Sequence, residues 1–168
     1  SLGAQHAAWF VRGGSNEALT IDLSALIDLV GGGAESCQGS ERFAIVRVAR
    51  GATLVHEGAH AQTLYVVHSG SFKSVKTAED GYEHVLAFSW QRDLIGYDGL
   101  YRERYAFGAV ALEDSRVVAL PMAGLAALRQ RSPAFDAALQ TLIARQLAHA
   151  GEIEELTPAV VAADAHLF

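Results

Sequence analysis

Residues 93–107, "DLIGYDGLYRERYAF", carry the one constellation in this chain that invites a ligand. Gly96 and Gly99 let a backbone come close to a bound group and present successive N–H donors, and Arg102 and Arg104 follow within reach of a bidentate grip on a phosphate. The chemistry at stake is anion binding. A surface connection between strands, with its arginines in water, uses the same residue types, so the surroundings decide between the two.

Other reactive side chains are few. His56 and His60 in "VHEGAHAQTLYVVHSG" raise the question of a metal, because barrels of the cupin type hold one through clustered histidines and an acid on adjacent strands. That pattern needs two histidines one residue apart and a later glutamate. Here three residues separate them, and Gln62 and Thr63 stand where the acid would fall, so no metal site is expected. The single Cys37 cannot form an internal disulfide and receives no role. No Gly-x-Ser-x-Gly elbow, Cys-x-x-Cys pair or P-loop occurs, and the chain does not read as an enzyme.

The elements that must position the loop follow from length and pattern. A chain of 168 residues, 51% hydrophobic and 19% charged, suffices for one well-cored domain with appendages. A net charge of -6 and scattered basic residues argue against DNA binding by this chain alone. No run is long and apolar enough to span a bilayer, and no signal-peptide pattern opens the sequence, so a cytoplasmic home is expected.

In "TIDLSALIDLV", Ile21, Leu23, Leu26, Ile27 and Val30 trace one helical face that Gly31 to Gly33 ends, which predicts a short leading helix. From residue 43 short β-rich runs take over: "FAIVRVA", "TLVHEG", "TLYVVHSG", "SFKSVKTA", "EHVLAFSW", "FGAVALE" and "RVVALP". Asp80-Gly81 suits a tight primed hairpin turn. Even spacing with little helix between implies an antiparallel sandwich or jelly roll, so the fold class is mainly β. "MAGLAALRQR" then reads as a short helix, and Ser132-Pro133 caps and opens a long one to about Leu156. On it Phe135, Leu139, Leu142 and Ile153 keep a four-three spacing, with Gln146 and His149 at intermediate seam positions. The pattern suits a helix packed on its own β-core and equally a two-stranded dimer seam. Length favours the seam, because some six turns overhang a small sandwich.

In this order and spacing, "G-x-x-L-x-x-x-G" at 51–58, "LYVVHSGSFK", the "DGYEH" hairpin, "DLIGYD" and "ALEDS" before a strand ending in Pro121 resemble the sensory domain of the Crp/Fnr superfamily of bacterial transcription regulators. The wording is closer to the Fnr branch, and the resemblance covers roughly residues 45–157. It implies a double-stranded β-helix (jelly roll) with an effector pocket, a long dimerisation helix and then a winged helix-turn-helix that reads DNA. The expected parts are residues 1–42 as leading helix and linker, 43–132 as a cyclic-nucleotide-binding-like β-domain, 133–156 as the dimerisation helix, and 157–168, opened by Thr157 and Pro158, as the start of a connection to a winged-helix domain that this chain lacks.

Departures from the family pattern shape the functional expectation. The cyclic-AMP branch follows the loop glycine with a glutamate for the ribose and opens the next strand with an Arg-Ser pair for the cyclic phosphate. Here Tyr97 stands at the glutamate position, Tyr105 and Ala106 at the Arg-Ser positions, and Arg104 is one residue out of register, which on a strand reverses its face unless a bulge intervenes. Fnr holds an iron-sulfur cluster on four cysteines, three before the β-domain and one within it, whereas this chain has only Cys37, near the entry to the β-domain, and Ala119 at the internal position. Gly96, Tyr97, Asp98, Gly99, Arg104, Tyr105 and Ala106 are therefore candidates for an effector pocket that takes no cyclic nucleotide. No cofactor is expected, an unidentified small molecule or a haem remaining open as effector. The alternative of another class is a small cupin-like enzyme or metal-binding protein. The implied partners are a second copy of the chain and, for a full-length regulator, DNA; no membrane is expected.

Overall fold

The computed structural model describes residues 19–31 and 41–156, with side chains as far as Ala148. Nine strands run β1 Thr20–Asp22, β2 Arg42–Val48, β3 Thr53–Val55, β4 Thr63–Ser69, β5 Phe72–Thr77, β6 Glu83–Ser89, β7 Leu94–Ile95, β8 Gly108–Ala111 and β9 Ser115–Pro121. Three α-helices accompany them: α1 Leu23–Leu29, α2 Met122–Arg131 and α3 Pro133–Leu156. The strands form two antiparallel sheets in the orders β1-β2-β9-β4-β7 and β3-β8-β5-β6, a jelly roll.

The alternation along the strands sorts side chains into two cores. On β4, Leu64 and Val66 point to the helices while Tyr65 and Val67 point between the sheets. On β9, Val118 and Leu120 join the helical side and Val117 the inner one, and Ile45 and Val46 divide β2 in the same way. Both faces of this sheet are covered, so its strands read as nearly unbroken apolar runs. A one-residue slip would exchange the two cores.

Three expectations need correction. The leading helix is shorter than its apolar face suggested, because Thr20–Asp22 pair with Arg42–Ala44 as a strand, and Asp22 then caps α1 by accepting the Ala25 N–H at 2.8 Å. Alternation over Ile21 and Leu23 fits a strand as well as a helix, and a partner strand was on hand to take it. The β5–β6 hairpin is not a two-residue primed turn. Only Gly81 has positive φ, and Ala78 exchanges hydrogen bonds with Gly81 and Tyr82, which makes a three-residue loop closed by a left-handed glycine.

The third correction concerns α3. Phe135, Leu139 and Leu142 are 1–2% exposed within this single chain, where they meet Leu26, Leu64, Leu125 and Leu128. They are core residues and are not free to form a seam with another molecule. α3 therefore fastens its first half to the sandwich, with Ser132 as N-cap taking the Phe135 N–H at 3.2 Å. Gln146 is half-buried and turns to the barrel, as described below, whereas the side chains of His149 and Ile153 lie outside the described residues. The outer face of α3 carries Ala137, Thr141, Ala144, Leu147 and Ala148, all exposed. Cys37 and residues 157–168 also lie outside the described part.

Candidate functional site

β7 ends at Ile95, Gly96 takes the left-handed conformation at φ 81°, and Tyr97–Leu100 form one turn of 3₁₀ helix. No residue with a side chain fits at Gly96 easily, since a Cβ there would lie 2.9 Å from the Tyr105 ring. Asp98, 4% exposed, folds the loop back on itself: its carboxylate accepts the Ala106 N–H at 2.7 Å, and its carbonyl accepts from Tyr101 and Arg102. A backbone donor that a bound anion would use is thus already held by a carboxylate, which repels anions in its own right.

Tyr105 occupies the centre of the arrangement. Its ring belongs to the inner core, its hydroxyl donates to the Thr63 carbonyl at 2.5 Å, and the same oxygen accepts the Thr63 N–H at 3.1 Å. Burial raises its pKa above the ordinary tyrosine value, so it stays a neutral phenol. Tyr97 is raised as well, chiefly by burial and then by Tyr101 and Asp98 beside it.

The Arg104 side chain lies on the opposite face from Tyr105, exposed. Its guanidinium donates to the Gly58 carbonyl at 2.8 Å and stands 3.3 Å from His60 Nε2. No bulge turns it inward, and it is removed from the list of pocket residues. Arg102 is exposed too, 5.8 Å from the Tyr101 ring centre. The guanidinium beside His60 would oppose a metal on that nitrogen. Among the described residues, no three His, Cys, Asp or Glu side chains are grouped to hold a metal ion.

Between the sheets lies a cavity of about 40 Å³. Gly96, Tyr97 and Asp98 line it, as expected of the loop, whereas Gly99, Tyr105 and Ala106 flank it without reaching it. Gly99 instead meets Ala61 and Met122 and borders an open outer groove of about 600 Å³ beside α2, whose Arg129 and Asp136 are already paired at 2.5 Å. The inner cavity also touches Val55, Ser74, Leu94, Ile95, Phe107, Gly108 and Ala109, and α3 reaches it through Gln146. Of these, Ser74 and Ala109 pair across the sheet and share the inward face with Phe72 and Ala111, so strand parity carried their signal. Gln146 gave no such signal from its helical position. Ligand pockets usually run from about 300 Å³ upward, so a volume near 40 Å³ holds a few waters at most.

A jelly roll with a glycine turn closing over an inter-sheet cavity, and a long helix touching that cavity from outside, is the architecture of an effector-binding domain. Comparison with known proteins agrees. The family described as cyclic nucleotide-binding domain matches residues 45–132. The fumarate and nitrate reduction regulatory proteins of Vibrio cholerae and of Escherichia coli K12 are each 29% identical over 100 residues, 60% of this chain and 40% of theirs. Among solved structures, the catabolite activator protein of Thermus thermophilus is 31% identical with a TM-score of 0.58, covering 68% of this chain and 54% of that one. The N-terminal domain of a transcriptional regulator from Streptomyces coelicolor is 32% identical with a TM-score of 0.53, covering 66% and 78%. The chain belongs to the cyclic nucleotide-binding domain family, in its Crp/Fnr-type branch of regulators with an N-terminal effector domain. It spans about 40% of the length of the curated relatives it matches.

Proposed function

We propose that this chain is the effector-sensing and dimerising domain of a cytoplasmic Crp/Fnr-like transcription regulator, without catalytic activity, and that its effector is not a cyclic nucleotide. The observation that carries this reading is Tyr105, which stands where the family's resemblance puts the phosphate-binding arginine and has its hydroxyl committed to both backbone groups of Thr63. With Arg104 outside and Asp98 on the wall, a cyclic phosphate entering the cavity would meet a carboxylate and no cation from the loop. One cysteine in 168 residues also leaves the domain without the four thiolates of an Fnr-type cluster. DNA binding belongs to the full-length regulator, and this chain alone does not bind DNA specifically.

An effector larger than a few waters enters by displacing a wall residue. Asp98 on the wall is held by its bond to the Ala106 N–H, and Tyr105 behind the loop by two, while Gln146 is the wall residue contributed by α3, the helix that we assign to dimerisation through its outer face. Displacing Gln146 thus acts directly on the helix that joins two protomers. The test is calorimetric titration with cyclic AMP and cyclic GMP, for which no binding is expected at micromolar concentration. Micromolar binding of either would overturn the reading of the pocket, whatever the outcome for dimerisation.

A further inference from the structure

We propose that the sheet face formed by β2, β9 and β4 carries an anion site of its own, built by Arg47, Arg116, His68 and Ser69, which takes inorganic phosphate or the phosphate of a small phosphomonoester. The site lies apart from the inter-sheet cavity and does not depend on what that cavity binds.

Ile45, Val118 and Val66 pair across these three strands as a buried row beneath the helices. Two residues further along each strand the helical cover ends. There Arg47 stands directly opposite Arg116, and a bulge in β4 sets both His68 and Ser69 against Arg116. Arg116 and His68 are half-buried, and Arg47 and Ser69 are exposed.

Like charges directly opposite on neighbouring strands destabilise a sheet, because their Cβ atoms lie only about 5 Å apart. Among the described residues, neither guanidinium has an ion pair or a hydrogen bond that offsets this, whereas Arg129, Arg131 and Arg145 each meet a carboxylate. Asp114, two residues before Arg116, spends its carboxylate on the Arg50 N–H at 2.9 Å. Beside the pair, His68 Nδ1 is shut off from solvent and has no hydrogen-bond partner among the described residues. A covered polar atom in that state costs free energy that a bound group recovers. Two unpaired arginines, a hydroxyl and an unsatisfied imidazole thus meet at one point.

The donor set names the ligand. Two arginine forks, a hydroxyl and an imidazole offer more N–H and O–H groups than the two oxygens of a carboxylate accept, whereas a phosphate turns several oxygens outward and suits bidentate arginine. The ligand is small, because the net charge of -6 and the acids Glu113 and Asp114 just ahead of Arg116 repel an extended polyanion.

Thermal unfolding of the whole chain tests this, in inorganic phosphate or glycerol phosphate against chloride at equal ionic strength. About 10 mM of either phosphate is expected to raise the midpoint by about 3 °C. Arg116→Gln and Arg47→Gln should each weaken phosphate binding about tenfold, yet leave the midpoint in chloride unchanged or higher, since each relieves the like-charge pair. His68→Gln should weaken binding several-fold, and Arg104→Ala should leave it intact. A larger response to glycerol phosphate upholds the site and makes a phosphomonoester its ligand; an equal response upholds it for inorganic phosphate. No phosphate response in the unmodified chain, an undiminished response in both arginine variants, or a response lost in Arg104→Ala would overturn the site.

Discussion

Replacing Tyr105 with Phe removes one oxygen and tests the account of the site directly. That oxygen satisfies both backbone groups of Thr63, which stand where β4 begins and are only partly buried. Leaving a buried polar group without a partner costs about 1–3 kcal/mol. Two groups set the upper end near twice that, while the partial exposure of Thr63 lets water reach at least one of them. The expected loss is therefore about 2 kcal/mol, and the phenyl ring, which still fills the space beside Gly96, adds no cavity penalty. Urea unfolding of the two proteins, compared at equal slope, reads the difference. A loss below about 0.5 kcal/mol, within the range of an ordinary surface substitution, would show that Tyr105 does not lock the loop and that the space is free to hold a ligand group.

Leu142→Ala should cost about 2–5 kcal/mol of folding stability, since it opens a cavity in the helical core, whereas Ala144→Glu two residues on should leave it within about 0.5 kcal/mol; chemical denaturation at low protein concentration distinguishes them. Gly96→Ala should destabilise by about 1–3 kcal/mol in the same assay, from the positive φ and the approach of its methyl group to the Tyr105 ring. Tyr65 has its pKa pushed up to about 12, chiefly by burial and then by Tyr105, so the fold holds its neutral form. Its contribution is whole below about pH 10 and is lost as pH rises through 12, and Tyr65→Phe should flatten the fall of the thermal midpoint over that window. Arg104→Ala should change stability by less than about 1 kcal/mol, because it gives up an exposed hydrogen bond to Gly58.

The strands were legible where alternation and glycine punctuation agree, as in β4, β5 and β9. β1 and β7 were not, because three and two residues are too short to show a period and exist as strands only through Phe43 and Tyr65 opposite them. In the loop, Arg104 was named a pocket candidate and lies outside, on the side its one-residue offset had suggested, and Asp98 was identified as a wall residue without its role as acceptor for Ala106. α3 marks the limit of pattern reading. A four-three apolar spacing says that one face is covered and not by what, and Phe135, Leu139 and Leu142 proved to be covered by the chain's own sandwich. The outer face, mainly Ala and Thr with Leu147 as its one large apolar side chain among the described residues, carries no hydrophobic signal strong enough to compete in a sequence.

A tyrosine where the resemblance places an arginine, three residues before β8, alters more than a contact. A buried guanidinium is stable only when an anion meets it, so a cavity built around one is held open for a charged ligand. Tyr105 needs no ligand, because its hydroxyl finds both partners in Thr63 and its ring packs in the inner core. In this arrangement Asp98 takes the Ala106 N–H, and the inter-sheet cavity measures about 40 Å³. On the side contributed by α3, Gln146 touches the cavity and its neighbour Arg145 pairs with Asp93, whose carboxylate also accepts the Trp90 N–H. The cavity wall and the helix that we assign to dimerisation thus share one residue among those described, Gln146.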